Sequence, residues 1–244
     1  MQITQNHVVG ELVAQDYRTA AVFKAFKIDF CCKGNRTIAE VCNKTGIDAP
    51  LLIKELTNVF QTSAANVDNA NFNSWPPDLL IDYIEKKHHR YVRAKIQEII
   101  PYLTKVASVH AETHPNLPII RELFLQTAHN LTEHMMKEEN VLFPYIRTMT
   151  NAIDTGSDFV EPFFGSVQNP IAMMHHEHND EGERFRQISQ LTNDYNPPEY
   201  ACNTFRVTFA LLKEFEEDLH RHIHLENNVL FPKAIELENH LCHA

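Results

Sequence analysis

The sequence predicts an all-α protein, an up-and-down four-helix bundle preceded by a small helical domain. Three observations lead there. Six glycines in 244 residues are too few for the many turns of a sandwich or barrel. From Asp78 onward the apolar residues recur at helical spacing. One segment of that helical region then returns, nearly unchanged, 88 residues later.

The elements follow in chain order. Residues 1–60 form a small helical unit, with Val-Phe-Lys-Ala-Phe-Lys-Ile-Asp-Phe-Cys-Cys at its centre and a second helix near Leu51–Phe60. A stretch rich in Asn, Ala and Ser runs from Gln61 to Ser74 and closes on Trp75-Pro76-Pro77. It reads as a linker, so the domains are 1–60, a linker over 61–76 and a bundle over 77–244. Four helices are expected in the bundle, over 77–108, 117–149, 168–192 and 198–239. His114-Pro115, the segment Thr150–Pro170 and Tyr195-Asn196-Pro197-Pro198 separate them. At about 1.5 Å per residue such helices span roughly 35–60 Å, the scale of an up-and-down bundle.

Composition narrows the function. A formal net charge of −10 leaves no basic field for nucleic acid. No run approaches 18 apolar residues, so no membrane span is expected. The start, Met-Gln-Ile-Thr-Gln-Asn-His, lacks the pattern of a secretion signal. Five cysteines, two adjacent, do not form a disulfide framework and suggest a reducing, cytoplasmic setting. Fifteen histidines raise the prospect of a metal site without locating one.

The repeat locates it. His134-Met-Met-Lys-Glu138-Glu-Asn-Val-Leu-Phe-Pro144 returns as His222-Ile-His-Leu-Glu226-Asn-Asn-Val-Leu-Phe-Pro232. His and Glu four residues apart share one helical face. Spacing alone decides little, since His7–Glu11 and His129–Glu133 have it too and read as surface pairs. The two repeated pairs sit within apolar stripes: Ile120, Phe124, Leu131, His134, Glu138, Val141 on the second helix, and Phe205, Leu212, Phe215, Leu219, His222, Glu226, Val229 on the fourth. Buried without partners, such groups would cost several kcal/mol. The bland reading is that each helix satisfies its own His with its own Glu. That it happens twice at equivalent positions favours ligands.

A duplicated bundle should offer matching donors on the first and third helices. The third carries Ile171, Met174, His178, Phe185 and Ile188 on one stripe. Shifted back 89 residues, His178, Phe185 and Ile188 fall on His89, Ile96 and Ile99. The neighbouring His88 also lies near an apolar face, and the repeat favours His89. The expected set is His89, His134, Glu138, His178, His222 and Glu226. Four imidazoles and two carboxylates suit a pair of transition ions rather than calcium, magnesium or a thiolate-bound ion. Iron fits this set best, with bridging carboxylates, a shared oxo or hydroxo group and about one open position on each ion; manganese and zinc remain compatible. His220, His224, His175, His176, His110, His114, His240 and His243 read as surface or supporting residues. Glu181 lies on the inner stripe of the third helix, so for it and Glu177 a supporting role and a solvated one stay open.

The assembled motifs resemble the hemerythrin-like domain. More closely, the chain resembles the iron–sulfur cluster repair di-iron proteins (the repair of iron centres family) over essentially its whole length. The resemblance is carried by both repeat segments, by Glu177-His-Asn-Asp-Glu-Gly-Glu183 and by Asp29-Phe30-Cys31-Cys32. It implies a hemerythrin-like bundle in which the six residues bind two non-haem irons, with the glutamates bridging. In that family glycines usually follow the cysteine pair directly. Here Lys33 intervenes before Gly34 and Asn35 follows, which bears on the geometry of the turn rather than on the cysteines' role. Read from the residues, Cys31 and Cys32 are a thiol pair for a soft metal or for exchange, or simply buried small residues; Cys42, Cys202 and Cys242 read as structural or surface.

The resemblance implies repair of iron–sulfur clusters damaged by nitric oxide or peroxide. Iron donation and redox chemistry at the centre, including a nitric oxide reductase-type activity, are both open, with Cys31 and Cys32 assisting transfer. Expected partners are damaged iron–sulfur proteins and small ligands such as nitric oxide, oxygen or peroxide, and the chain is expected as a monomer or homodimer. A carrier or sensor of oxygen or nitric oxide is the first rival, since it needs the bundle alone. A ferroxidase-like iron store is the second, but such sites are richer in carboxylates.

Overall fold

A computed structural model describes residues 2–61, 71–157, 159 and 162–243. Most of the expected linker, residues 62–70, lies outside the described residues. Helices α1 (Val9–Gln15), α2 (Thr19–Ala25), α3 (Ile38–Thr45) and α4 (Ala49–Gln61) come first, and a short 3-10 turn at Phe72–Ser74 leads into α5 (Pro77–Tyr83). Then follow α6 (Arg90–His110), α7 (Asn116–Lys137), α8 (Phe143–Thr155), α9 (Gln168–Leu191), α10 (Asn203–Leu225) and α11 (Phe231–His243). Three π-helical turns, Ile84–His89, Glu138–Leu142 and Glu226–Leu230, join α5 to α6, α7 to α8 and α10 to α11. Among the described residues there is no strand, only one isolated bridge between Val8 and Thr37. The protein is all-α.

The chain divides into two compact units. One comprises Met1–Leu80 together with Ile223–Ala244, and the other Ile81–His222. The C-terminal end of the helical region thus groups with the N-terminal residues, a partition that the composition of the linker does not reveal.

In the first unit, Leu12, Phe23, Ile38, Leu52 and Leu56 are fully buried. Thr37 and Glu40 form a capping box at the start of α3, and Gly46, with φ 72°, ends that helix in the left-handed conformation. The chain also closes tightly on itself at two other glycines. Gly10 donates its N–H to the Gly34 carbonyl at 2.7 Å. A Cβ on Gly34 would fall 2.3 Å from the Phe30 carbonyl oxygen, and one on Gly10 would fall 2.3 Å from Asn228 Oδ1. Gly34, not the exposed Lys33, is therefore the position in the cysteine turn that admits no side chain.

The second unit is a helical bundle in which α7 packs against both α6 and α9. The expected stripes are buried: Ile96 and Ile99 on α6; Ile120, Phe124 and Leu131 on α7; Ile171, Met174, Phe185 and Ile188 on α9; Phe205, Leu212, Phe215 and Leu219 on α10. The second helical run extends past the expected 149 to Thr155, ending at Gly156 with φ 66°. The fourth begins at Asn203 rather than 198, because Asn193, Asp194 and Tyr195 all take positive φ and two prolines follow. No helix among the described residues is long and apolar enough to cross a membrane.

One stripe residue departs from expectation. Val141 is only partly buried, whereas Leu142 and Phe143 are fully buried. The π turn widens the helix, so the next residue on the inner face comes one position later than α-helical spacing gives. Its cause is local. Pro144 and Pro232 lack an N–H, and their rings crowd the carbonyls of Asn140 and Asn228 four residues back. A widened turn just before each proline relieves that conflict.

Replacing Gly34 by Ala should destabilise the protein by roughly 1–3 kcal/mol through overpacking. A urea melt would show it as a lowered midpoint with an unchanged slope; an unchanged midpoint would refute the close packing of this turn.

Candidate metal centre

Each π turn carries a candidate ligand. His89 ends the first, Glu138 begins the second and Glu226 begins the third. His134 lies one turn before Glu138 near the end of α7, and His178 sits in the middle of α9. His222 lies one turn before Glu226 on a single helical run that passes uninterrupted from α10 to α11. The boundary between the two units falls inside this run, just after His222. All six residues are at most 2% exposed.

Their donor atoms gather in two sets. Those of His89, Glu138, His222 and Glu226 lie within 4.8 Å of one another, as do those of His134, Glu138, His178 and Glu226. The two glutamates belong to both. His134 Nε2 stands 3.3 Å from Glu138 Oε1, and His89 Nε2 stands 3.4 Å from Glu138 Oε2, so one carboxylate spans the two sets.

The set fits bound metal on its own chemistry. Two fully buried carboxylates in one site repel each other strongly, and a cation between them removes that cost. The His134 and His178 Nε2 atoms stand 3.0 Å apart. Two imidazole nitrogens each about 2.1 Å from one ion, at right angles, would stand about 3.0 Å apart.

Outer carboxylates orient the rings. His89 Nδ1 lies 2.7 Å from Glu139 Oε1, and His134 Nδ1 lies 2.7 Å from Glu177 Oε2. A protonated Nδ1 donating to these oxygens leaves the Nε2 lone pair as the one that can be donated to a metal. The carboxylates are themselves held: Arg93 bonds both oxygens of Glu139 at 2.8 Å, and Lys137 pairs with Glu177. The hydrogen bond from His134, reinforced by Lys137, holds the Glu177 carboxyl down to about 2 despite partial burial.

Glu181, open between two roles in the sequence, is buried against Asn130 and Arg184. A cavity of about 280 Å³ is lined by His134, His178, Glu177 and Glu181 together with the exposed Glu133, His176 and Asp180. It connects one donor set with the surface.

His88 is also fully buried but faces elsewhere. Its Nδ1 lies 3.1 Å from both Asp218 oxygens, and its ring stacks on His222 at 5.5 Å between centroids. The repeat thus separates two adjacent histidines that helical periodicity leaves ambiguous, and His88 becomes a support. His129 and Glu133 form an exposed pair at 3.7 Å. His7 Nδ1 accepts from the Thr4 N–H, three residues earlier, at 3.1 Å. His224 is buried rather than at the surface, against Tyr17, Phe30 and Asn228 of the first unit. His110 and His114 pack on Phe205. The side chain of His243 lies outside the described residues.

Cys31 and Cys32 lie in the first unit, not among the six. Their Sγ atoms are 3.7 Å apart, and none of the five cysteines forms a disulfide. The π turn that starts at Glu226 also holds them. Asn227 donates to the Cys31 carbonyl at 3.1 Å, and Asn228 donates to the Phe30 and Cys31 carbonyls at 3.3 and 3.4 Å. Sequence reasoning missed these asparagines. The only available sign was that Asn227 stands where the first copy has Glu139.

Comparison with known proteins agrees with this architecture. Residues 80–234 match the hemerythrin HHE cation binding domain, and residues 5–59 match a domain of unknown function (DUF542). The iron–sulfur cluster repair protein ScdA of Staphylococcus haemolyticus is 32% identical, over 95% of this chain and 99% of its own length. The iron–sulfur cluster repair protein YtfE of Dickeya chrysanthemi is 36% identical, over 94% and 97%. YtfE of Escherichia coli is 33% identical, over 93% and 96%.

Glu177→Gln should weaken metal retention by about 10–100-fold, the usual effect of losing an outer carboxylate; equal retention by dialysis against a chelator would refute the orienting role. The pH dependence has a defined sign. A lowered carboxyl pKa stabilises the fold fully above its unfolded value of about 4.3 and loses that contribution as pH falls through about 2. The stability gap between wild type and Glu177→Gln should therefore narrow as metal-free protein is taken from pH 5 to pH 2; a constant gap would contradict it.

Proposed function

This chain belongs to the iron–sulfur cluster repair proteins built on the hemerythrin HHE cation binding domain, and on that premise we propose that it repairs damaged iron–sulfur clusters using a di-iron centre held by His89, His134, Glu138, His178, His222 and Glu226. The observation that carries the reading is the sharing of Glu138 and Glu226 between two buried donor sets. A single ion would need only one of the two sets.

A bound pair of irons would supply redox cycling and exchangeable coordination positions. The residues themselves do the rest. Glu139 and Glu177 keep the Nδ1 protons of His89 and His134, so these rings present Nε2 inward. Arg93 and Lys137 hold those carboxylates in place. The cavity beside His134 and His178 is wide enough to pass a small molecule such as nitric oxide or peroxide, or an iron ion leaving as cargo, and its acidic lining favours a cation.

Iron donation is the act we assign first, with damaged iron–sulfur proteins as clients and Cys31 and Cys32 as aids to transfer. The dangling functional question for a carrier or sensor would be why the match extends through residues 5–59, which such a role leaves unused. A reducing, cytoplasmic setting would keep the cysteines as thiols for this role, and a monomer or homodimer suffices for this chemistry.

Protein loaded with labelled iron, incubated with an enzyme whose cluster has been damaged, should restore its activity and leave label in it. Recovery of activity with no label transferred would sink donation. His134→Ala should lower bound iron from about two equivalents per chain towards one and slow the recovery; undiminished iron would count against the six-residue centre.

A further inference from the structure

The cysteine turn gathers a third set of donors. Asp29, Cys31 and Cys32 offer ligand atoms within 4.8 Å of one another. Cys31 is buried and Cys32 is partly exposed, so the set is reachable from one side. Asp29 Oδ1 also accepts from the Cys32 N–H at 2.9 Å, which fixes the carboxylate beside the thiols.

The spacings match a cation site. An ion about 2.3 Å from each of two sulfurs in tetrahedral geometry sets them about 3.8 Å apart; here they are 3.7 Å apart. With an oxygen ligand at about 2.1 Å, the sulfur-to-oxygen separation becomes about 3.6 Å; Cys31 Sγ and Asp29 Oδ1 are 3.5 Å apart. A disulfide would need about 2.05 Å and a strained ring between neighbours. The backbone is held independently of any ion, by Asn227 and Asn228 on the Cys31 and Phe30 carbonyls and by Arg36 on the Asp29 carbonyl at 3.2 Å.

We propose that Asp29, Cys31 and Cys32 form a third cation site, specific for a borderline divalent transition ion such as Fe(II) or Zn(II), with the fourth position open to an incoming ligand. Two thiolates and one carboxylate disfavour calcium and magnesium, which take oxygen alone. Binding releases the two thiol protons to solvent and forms two metal–sulfur bonds, with no change of oxidation state. Because each thiol gives up its proton to become a ligand, binding strengthens as pH rises. The site deepens the transfer role given above to these thiols, and rests on that reading only for its biological use.

The test is a Co(II) titration of the full-length metal-free protein under reducing, anaerobic conditions. Cobalt on thiolates gives an intense charge-transfer absorption, whereas cobalt on histidine and glutamate gives only weak visible bands. Wild type should show the intense absorption and bind one more equivalent than Cys32→Ser, which should lose most of it while keeping the weak bands. Cys32 is the chosen position because its side chain is not fully buried; Asp29→Asn, as a second variant, should retain the absorption with weaker affinity. No intense absorption in wild type, or the same absorption in Cys32→Ser, would overturn the proposal. Loss of the weak bands alone would instead count against the histidine–glutamate centre.

Discussion

Glu138 and Glu226 are both fully buried, and both contribute oxygens to the same two sets of donors. Like charges so placed repel in a medium that screens them poorly. The imidazoles of His89, His134, His178 and His222 gather with them; as metal ligands, imidazoles supply lone pairs but no compensating charge. The helices that converge here bring together groups whose favourable partner is a bound metal cation. The second unit also has a conventional apolar core, in which the Phe215 ring meets those of both Phe124 and Phe185.

The backbone adapts to this demand in a specific way. Three of the six residues sit at the edge of a π-helical turn, and two of those turns precede prolines that forbid a regular ladder. A widened turn changes the angular step along the helix. That is why Leu142 and Phe143, rather than Val141, carry the stripe onward. The identical Asn-Val-Leu-Phe-Pro segments thus encode a backbone irregularity as much as a packing pattern.

The duplication is broken where the two copies serve different neighbours. In the first copy, Glu139 follows the candidate ligand Glu138 and lies against His89. In the second, Asn227 follows Glu226 and instead holds the carbonyl of Cys31. An amide can donate to a carbonyl and a carboxylate cannot, so a single exchange redirects one turn of helix from supporting the metal layer to supporting the cysteine turn. Both Gly10 and Gly34 lie against this contact, where a Cβ would collide with Asn228 or with the Phe30 carbonyl.

By itself the sequence determined the helical class and the buried stripes, because apolar periodicity over long segments has few other solutions. It also singled out six candidate donors, because an internal repeat supplies two copies of one pattern and each checks the other. The periodicity left His88 and His89 equivalent, and the repeat alone preferred His89. Only the tertiary structure decided the rest. It turned His88 onto Asp218, drew Glu177 and Glu139 to the outer ring nitrogens, buried His224 in the first unit and grouped the C-terminal helix with the N-terminal residues. Such partners lie tens of residues or more apart in the chain, and no local spacing relates them. Their positions follow from how helices pack, not from where each helix begins.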